Sequence, residues 1–310
     1  MRVTLLSGGV GGAKLAAGLY DVLEPGELTI VGNVGDDLEV LGLYVSPDLD
    51  SVLYALAGLN DTDRGWGRAG ETWQALESAR RWGGEGWFML GDLDLGLHLV
   101  RSQALREGVP LSAVTARLTA AAGLATHLIP ATDDRLRTHL VTPQGTFAFQ
   151  EWFVARRHED EVDALVYEGA EQAQPAPGVL DVLAAADAIV VAPSNPFVSI
   201  HPILAVPSIR VALEQRAVRA VAVSPLIGGL AVRGPLDRMM QRLVGGTSPI
   251  HVTMCYKGLL DALVIDGADA RESDGAAGVA FVVTDTLMSD RDAARRLAQT
   301  TLEAAMKART

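Results

Sequence analysis

The chain has 310 residues, 49% hydrophobic and 21% charged, which suits a large folded core and, by length, about two domains. Its formal net charge of −12 argues against a nucleic-acid-binding surface, which needs clustered Lys and Arg to neutralise phosphates. Cys255 is the only cysteine, so an intrachain disulfide and a cysteine zinc cluster are excluded, and no apolar run approaches the roughly 20 residues that span a bilayer.

A strand beginning directly after Met1 leaves no room for a signal peptide, so a cytoplasmic location is expected. The apolar run Val3-Thr4-Leu5-Leu6 leads into Ser7-Gly8-Gly9-Val10-Gly11-Gly12-Ala13-Lys14, and a helical pattern of Leu15, Ala16, Leu19, Tyr20 and Leu23 leads out. Strand, glycine turn and helix in this order make an anion site, because glycine admits positive φ and the helix start offers unpaired N–H groups. The P-loop pattern fails, since Ala13 stands at its second glycine and Leu15 at its hydroxyl. The dinucleotide pattern fits through Gly9 and Gly11 but has Lys14 at its third glycine, a cation well placed for a phosphate.

A second strand, Leu28-Thr29-Ile30-Val31, ends in Asn33, Gly35, Asp36 and Asp37. The corner Ser46-Pro47-Asp48-Leu49-Asp50 follows. Its carboxylates, with Asp36 and Asp37, could bind a hard divalent cation, or Asp48 could cap a helix carrying Val52, Leu53, Leu56 and Leu59. Asn60 to Gly67 reads as a loop. Four of the five tryptophans, Trp66, Trp73, Trp82 and Trp87, fall in one stretch and suit a core, an interface or a stacked ligand. A helix over Glu71 to Trp82 ends at Gly83 to Gly86, and a second acidic corner, Gly91-Asp92-Leu93-Asp94, precedes a helix with His98 and Arg101 one turn apart.

Residues 111 to 127 are helical in pattern, and Thr138 to Thr142 with Thr146 to Phe149 form a hairpin around Pro143-Gln144-Gly145. Arg156 and Arg157 read as a solvated face neutralised by Glu159, Asp160 and Glu161, and Gln172 to Gly178 as a linker. The α/β rhythm then resumes with helix Val179 to Ala186 and strand Ala188 to Ala192, which ends in Pro193-Ser194-Asn195-Pro196. Helix Ile209 to Gln215 and strands Ala220 to Val223, Ala262 to Ile265 and Val282 to Asp285 follow, then a last helix from about Asp290 to Met306. Strand after strand ends in Gly, Ser, Asn or Asp, as on the rim of a Rossmann-like, doubly wound, mostly parallel sheet. The chain therefore reads as one domain, with a core of about 1–58 and 179–310 and a mixed, largely helical insertion of about 59–178.

Over nearly its whole length the sequence resembles the 2-phospho-L-lactate transferase family of deazaflavin coenzyme F(420) biosynthesis. The most specific pieces are Ser7 to Lys14, Asn33 to Asp37, Ser46 to Asp50, Arg64-Gly65-Trp66-Gly67, Gly91 to Asp94 and Ala192 to Pro196. The resemblance implies a Mg²⁺-dependent enzyme, typically a homodimer, acting on lactyl-2-diphospho-5′-guanosine or its enolpyruvyl analogue. The phospho-acid unit would pass to the ribityl hydroxyl of Fo, 7,8-didemethyl-8-hydroxy-5-deazariboflavin, with release of GMP. It places the nucleotide at Gly9, Gly11, Gly12, Lys14, Ser194 and Asn195, and catalysis and metal at Asp50 and Asp48. Fo would lie at Asp50, Asp92, Leu93, Asp94 and His98. The family commonly has Gly-Asp-Arg-Asp and then Ala-Thr-His where this chain has Gly91-Asp92-Leu93-Asp94 and Gly96-Leu97-His98. A cation and a hydroxyl are missing there, a change that affects the acceptor, with Arg101 as one candidate to compensate.

Two other classes share the glycine turn. A nucleotide-sugar-binding regulatory protein of a related Rossmann-like family would have the opening turn and acidic corner, but not the Ser46 to Asp50 and tryptophan-rich sections. An NAD-dependent oxidoreductase is disfavoured by Lys14 and by the lack of an evident Tyr-Lys or Cys-His pair.

Overall fold

The computed structural model describes residues 1–272, 276 and 278–307. Its centre is a seven-stranded sheet of β1 (Val3–Ser7), β2 (Leu28–Gly32), β3 (His127–Pro130), β4 (Ala188–Val191), β5 (Ala220–Val223), β6 (Ala262–Asp266) and β7 (Ala280–Thr284). The spatial order is β7-β6-β5-β4-β1-β2-β3, and every pair in it is parallel. That is the doubly wound arrangement expected from the sequence, here without an antiparallel member. The inner strands β1, β2, β4 and β5 are buried at every residue, which is why they read as continuous apolar runs without alternation. Strand order reverses between β1 and β4, so the loops after Ser7 and Val191 diverge there and leave a crevice at the carboxyl rim.

Helix α1 (Gly9–Val22) follows β1 and packs between α2 (Pro47–Ala57) and the C-terminal helix Arg291–Met306. Gly18 makes the second packing possible, because a Cβ there would collide with the carbonyl oxygen of Ala294. Asp290 caps the C-terminal helix by accepting from the Ala293 amide at 2.8 Å.

The insertion differs from its expected outline. It holds α3 (Gln74–Arg81), α4 (Asp94–Arg106) and α5 (Leu111–Ala121), each shorter than or offset from its sequence pattern. Instead of continuing to residue 127, α5 ends just before Gly123 (φ 71°), and the chain turns back into β3. Strand β3 pairs with β2 from Thr29 opposite His127 to Gly32 opposite Pro130, so the 59–178 segment closes one edge of the core sheet. It was not legible because it has four residues, half of them buried, and ends in proline, a combination that only an edge position tolerates. The hairpin around Pro143-Gln144-Gly145 is present, as Arg137–Thr142 and Gly145–Ala148, with Ala164–Glu168 as a third antiparallel strand. The Gln172 to Gly178 stretch is packed, with Ala173 and Ala176 buried and the Ala176 amide bonded to Ala131 O at 3.0 Å. The main hydrophobic core runs from Leu5 and Val190 through Leu128 to Leu140 and Trp152, and a small second cluster gathers Val40, Val45 and Leu90.

Candidate active site

The glycine turn and the Pro193-Ser194-Asn195 loop meet at the point where β1 and β4 diverge. Ser194 Oγ donates to Gly8 O at 2.6 Å, which ties the two loops together. Asn195 Oδ1 accepts from the Phe197 amide at 3.0 Å. The glycines have separate reasons. A Cβ on Gly11 would stand 2.5 Å from Pro193 O, and one on Gly12 2.7 Å from Ser194 Oγ, so both permit close backbone approach. Gly9 is the member with a left-handed backbone, φ 66°. Lys14 is anchored by donating to Met288 O at 2.8 Å; burial, and next Arg233, lower its pKa.

Asp48 and Asp50 lie in the first turn of α2 but face different partners. Asp48 does not cap its own helix: Pro47 already occupies the first turn, and the carboxylate reaches across to α1. Its Oδ1 accepts from the Gly9 amide at 2.6 Å and its Oδ2 from Asn33 Nδ2 at 2.9 Å. Gly8 has to be glycine for this contact, since a Cβ there would overlap Asp48 Oδ2. The start of α1 therefore carries an internal carboxylate.

Around Asp48 lie two more buried acids. Asp36 accepts from Asn33 at 3.3 Å and from Gln150 at 3.1 Å, while Asp37 Oδ2 accepts from Tyr44 Oη at 2.9 Å and Ser46 Oγ at 3.0 Å. Asp37 Oδ1 is buried without a partner. Burial raises all three carboxyls, Asp37 to about 7 and Asp48 to about 6, and the neighbouring charges of Asp48 and Asp37 push Asp36 further in the same direction.

Asp50 faces α4. Arg101 donates from Nη1 to Asp50 Oδ2 at 3.0 Å and from Nη2 to Asp50 Oδ1, a two-pronged pair buried on both sides. His98 Nδ1 stands 3.8 Å from Asp50 Oδ2, and burial pushes His98 down to about 4, so its ring is neutral near neutral pH. Arg101 is committed to Asp50 and 1% exposed, so it does not supply the cation that the resemblance leads one to expect at Leu93.

The second acidic corner is built mainly of caps. Asp92 accepts from Thr72 Oγ1 and from the Gln74 and Ala75 amides at 3.1 and 3.0 Å, closing the start of α3. Glu71 accepts from the Leu93 and Asp94 amides, both at 2.8 Å, and closes the start of α4. Asp94 accepts from Tyr54 Oη and is raised to about 6 by burial, and Leu93 is 44% exposed. The tryptophans separate: Trp66 and Trp73 flank Arg64, Trp87 packs on Phe88, and Trp82 is exposed.

Among the described residues no group of three or more His, Cys, Asp or Glu side chains is arranged to hold a metal ion. Asp48 and Asp50 are each paired inside the protein on both oxygens and do not form a joint cation cage. Sequence reasoning omitted Gln150, Arg137 and Glu71 from the site. Gln150 and Arg137 reach it from the antiparallel sheet and its exit, and Glu71 caps α4 from 22 and 23 residues before the amides it accepts from, so none of the three carries a local signal.

Fold and site together define a Rossmann-like protein with a glycine-rich turn beside buried carboxylates at the switch point of the sheet. The chain belongs to the family described as 2-phospho-L-lactate transferase CofD, whose model matches residues 3–304. It is 43% identical to the phosphoenolpyruvate transferase of Streptomyces griseus subsp. griseus over 317 aligned residues, covering 100% of both chains. It is 41% identical to the protein of the same name from Streptomyces coelicolor, covering 100% of this chain and 99% of that one. Among solved structures, protein BH3568 from Bacillus halodurans superposes with a TM-score of 0.65 over 97% of this chain and 99% of its own. At 17% identity that likeness shows the fold alone. Full-length relatives with transferase names do not favour the regulatory alternative. No single described helix is long and apolar enough to cross a membrane.

Proposed function

We propose that this protein transfers the phosphoenolpyruvyl or 2-phospholactyl unit of a guanosine-diphosphate-activated acid to the ribityl hydroxyl of Fo. The products are the dehydro form of coenzyme F(420)-0, or F(420)-0 itself, and GMP. Membership of the family supports the reaction class, and the name carried by the Streptomyces relatives favours the enolpyruvyl donor. The observation that carries the reading is the meeting of the glycine turn, Ser194 and the Asp48–Asp50 turn at one switch-point rim.

In this reading the donor's diphosphate lies along the turn of Gly9, Gly11 and Gly12, near Ser194 and Asn195. Asp50 accepts a hydrogen bond from the Fo hydroxyl while Arg101 fixes the carboxylate's orientation. The hydroxyl oxygen bonds to the phosphorus that carries the three-carbon acid. The bond from that phosphorus to the bridging oxygen breaks, GMP leaves with this oxygen, and the hydroxyl proton passes through Asp50 to solvent. GMP departs as a phosphate and needs no strong acid, which agrees with a neutral His98. The Fo side takes in Asp92, Leu93, Asp94 and His98, where Asp92 shapes the corner through its cap on α3. Mg²⁺ would neutralise phosphoryl charge and belongs in this proposal with the donor's diphosphate, because Asp48 and Asp50 as paired do not cage it. A homodimer and a cytoplasmic setting complete the proposal.

The test is a mass-resolved transfer assay with Fo, Mg²⁺ and each guanosine donor generated in place. Joint appearance of GMP and phospho-acid-bearing deazaflavin supports the reading and ranks the donors. Lack of product with lack of binding to both Fo and guanine nucleotide overturns it.

A further inference from the structure

The Arg64-Gly65-Trp66-Gly67 motif has no part in the reaction so far, yet the structure uses it to hold a cation. Arg233, from the loop that follows strand Leu230–Ala231, donates from Nη1 to Arg64 O at 3.1 Å. Its guanidinium lies against Gly65, whose φ is 78° and where any Cβ would overlap it. The platform is itself braced. Arg64 pairs with Asp61 at 3.2 Å, and its guanidinium carbon sits 5.0 Å from the Trp66 ring centre and 4.8 Å from that of Trp73. One donor of Arg233 is used in this contact, and a guanidinium has five.

Arg233 and Lys14 are both exposed, and neither has a carboxylate within 4.0 Å among the described residues. Two exposed cations without a carboxylate partner stand out in a chain with 38 acids and 26 Lys and Arg. Lys14 lies on α1, which starts at the glycine turn, and Arg233 lies on the segment that leaves the carboxyl end of β5, the strand beside β4, on the same rim of the parallel sheet. Partial burial, and next the charge of Arg233, lower the Lys14 pKa. The turn also has an unmet electrostatic need. Its Gly9 amide already serves the Asp48 carboxylate at 2.6 Å, so an arriving diphosphate meets a negative charge beside the helix start. Cations from outside the turn have to offset it.

We propose that Arg233, preset by Arg64 O and Gly65 and acting with Lys14, is the residue that grips the diphosphate of the nucleotide-activated donor. This rests on the guanosine-diphosphate donor reading above. Planar guanidinium donors match phosphate oxygens in pairs, which gives Arg233 more to contribute to the second phosphate than a lone ammonium has.

Calorimetric titration of the full chain with GDP and with GMP as probes tests this. Arg233→Ala should weaken GDP about tenfold or more and GMP by no more than about threefold, with Arg233→Lys between wild type and Ala for GDP. Thermal melting checks that the variants fold; because Arg233 is exposed, its removal leaves the core intact. Wild-type GDP affinity in Arg233→Ala overturns the proposal while leaving the donor reading in place, as does equal weakening of GDP and GMP. A wild-type protein that binds neither nucleotide overturns both.

Discussion

Arg101 holds Asp50 by both carboxylate oxygens, across 51 residues of chain, with the guanidinium 1% and the carboxylate 7% exposed. Removing one partner strands a buried charge, whereas removing both does not. Asp50→Ala is expected to cost about 3–5 kcal/mol of stability, and the double variant Asp50→Leu/Arg101→Met to be more stable than either single change. Urea midpoints of the four proteins check this. Equal midpoints for wild type and Asp50→Ala would mean the pair is solvated in solution.

Leu93 is exposed at the corner proposed to face Fo, and Arg101, paired with Asp50, supplies no cation there. Leu93→Arg is expected to tighten Fo binding about fivefold or more, the scale of one added charge-assisted hydrogen bond. Fluorescence titration of Fo reads the change. Unaltered affinity would separate the Gly91 to Asp94 corner from the acceptor site.

Glu71 caps α4 from outside the helix, through the Leu93 and Asp94 amides. Glu71→Ala should lose about 1–2 kcal/mol, as other cap deletions do, and hydrogen exchange at those two amides should speed up. Exchange unchanged at both positions would show that another group satisfies them.

Burial raises Asp37 to about 7, so the folded chain holds a proton there that the unfolded chain releases near 4. The stabilisation tied to that proton is complete below about pH 4 and is lost as pH rises through about 7. Asp37→Asn carries no such charge, so its melting temperature relative to wild type should rise between about pH 5 and about pH 8. A constant difference over that range would mean that Arg137 keeps Asp37 ionised throughout.

Gly18 sits inside α1, where helix propensity alone would favour alanine by about 1 kcal/mol. The Ala294 carbonyl against it reverses the sign, and Gly18→Ala should destabilise by about 1–3 kcal/mol in thermal or urea unfolding. A stabilised variant would show that the C-terminal helix moves away at little cost.

Much of the fold was legible because its signals are local. Buried strands such as Ile189 to Val191 are β-branched runs, the Ser7 to Lys14 turn is punctuated by glycine, and the last helix opens on Asp290. These depend on neighbours a few residues apart, and they determined the Rossmann-like architecture, the switch-point turn and the acidic corners. Only the tertiary structure decided what the acidic corners do. Asp48 and Asp50 are two positions apart, yet one caps α1 and the other pairs with Arg101 on α4, because residues i and i+2 of a helix point to opposite sides. The edge strand His127–Pro130 and the Arg233 platform on Gly65 likewise exist through partners about 98 and 169 residues away. Local sequence records the propensity of a segment; which distant group meets it is set by packing, and that is where the charges of this site are paired.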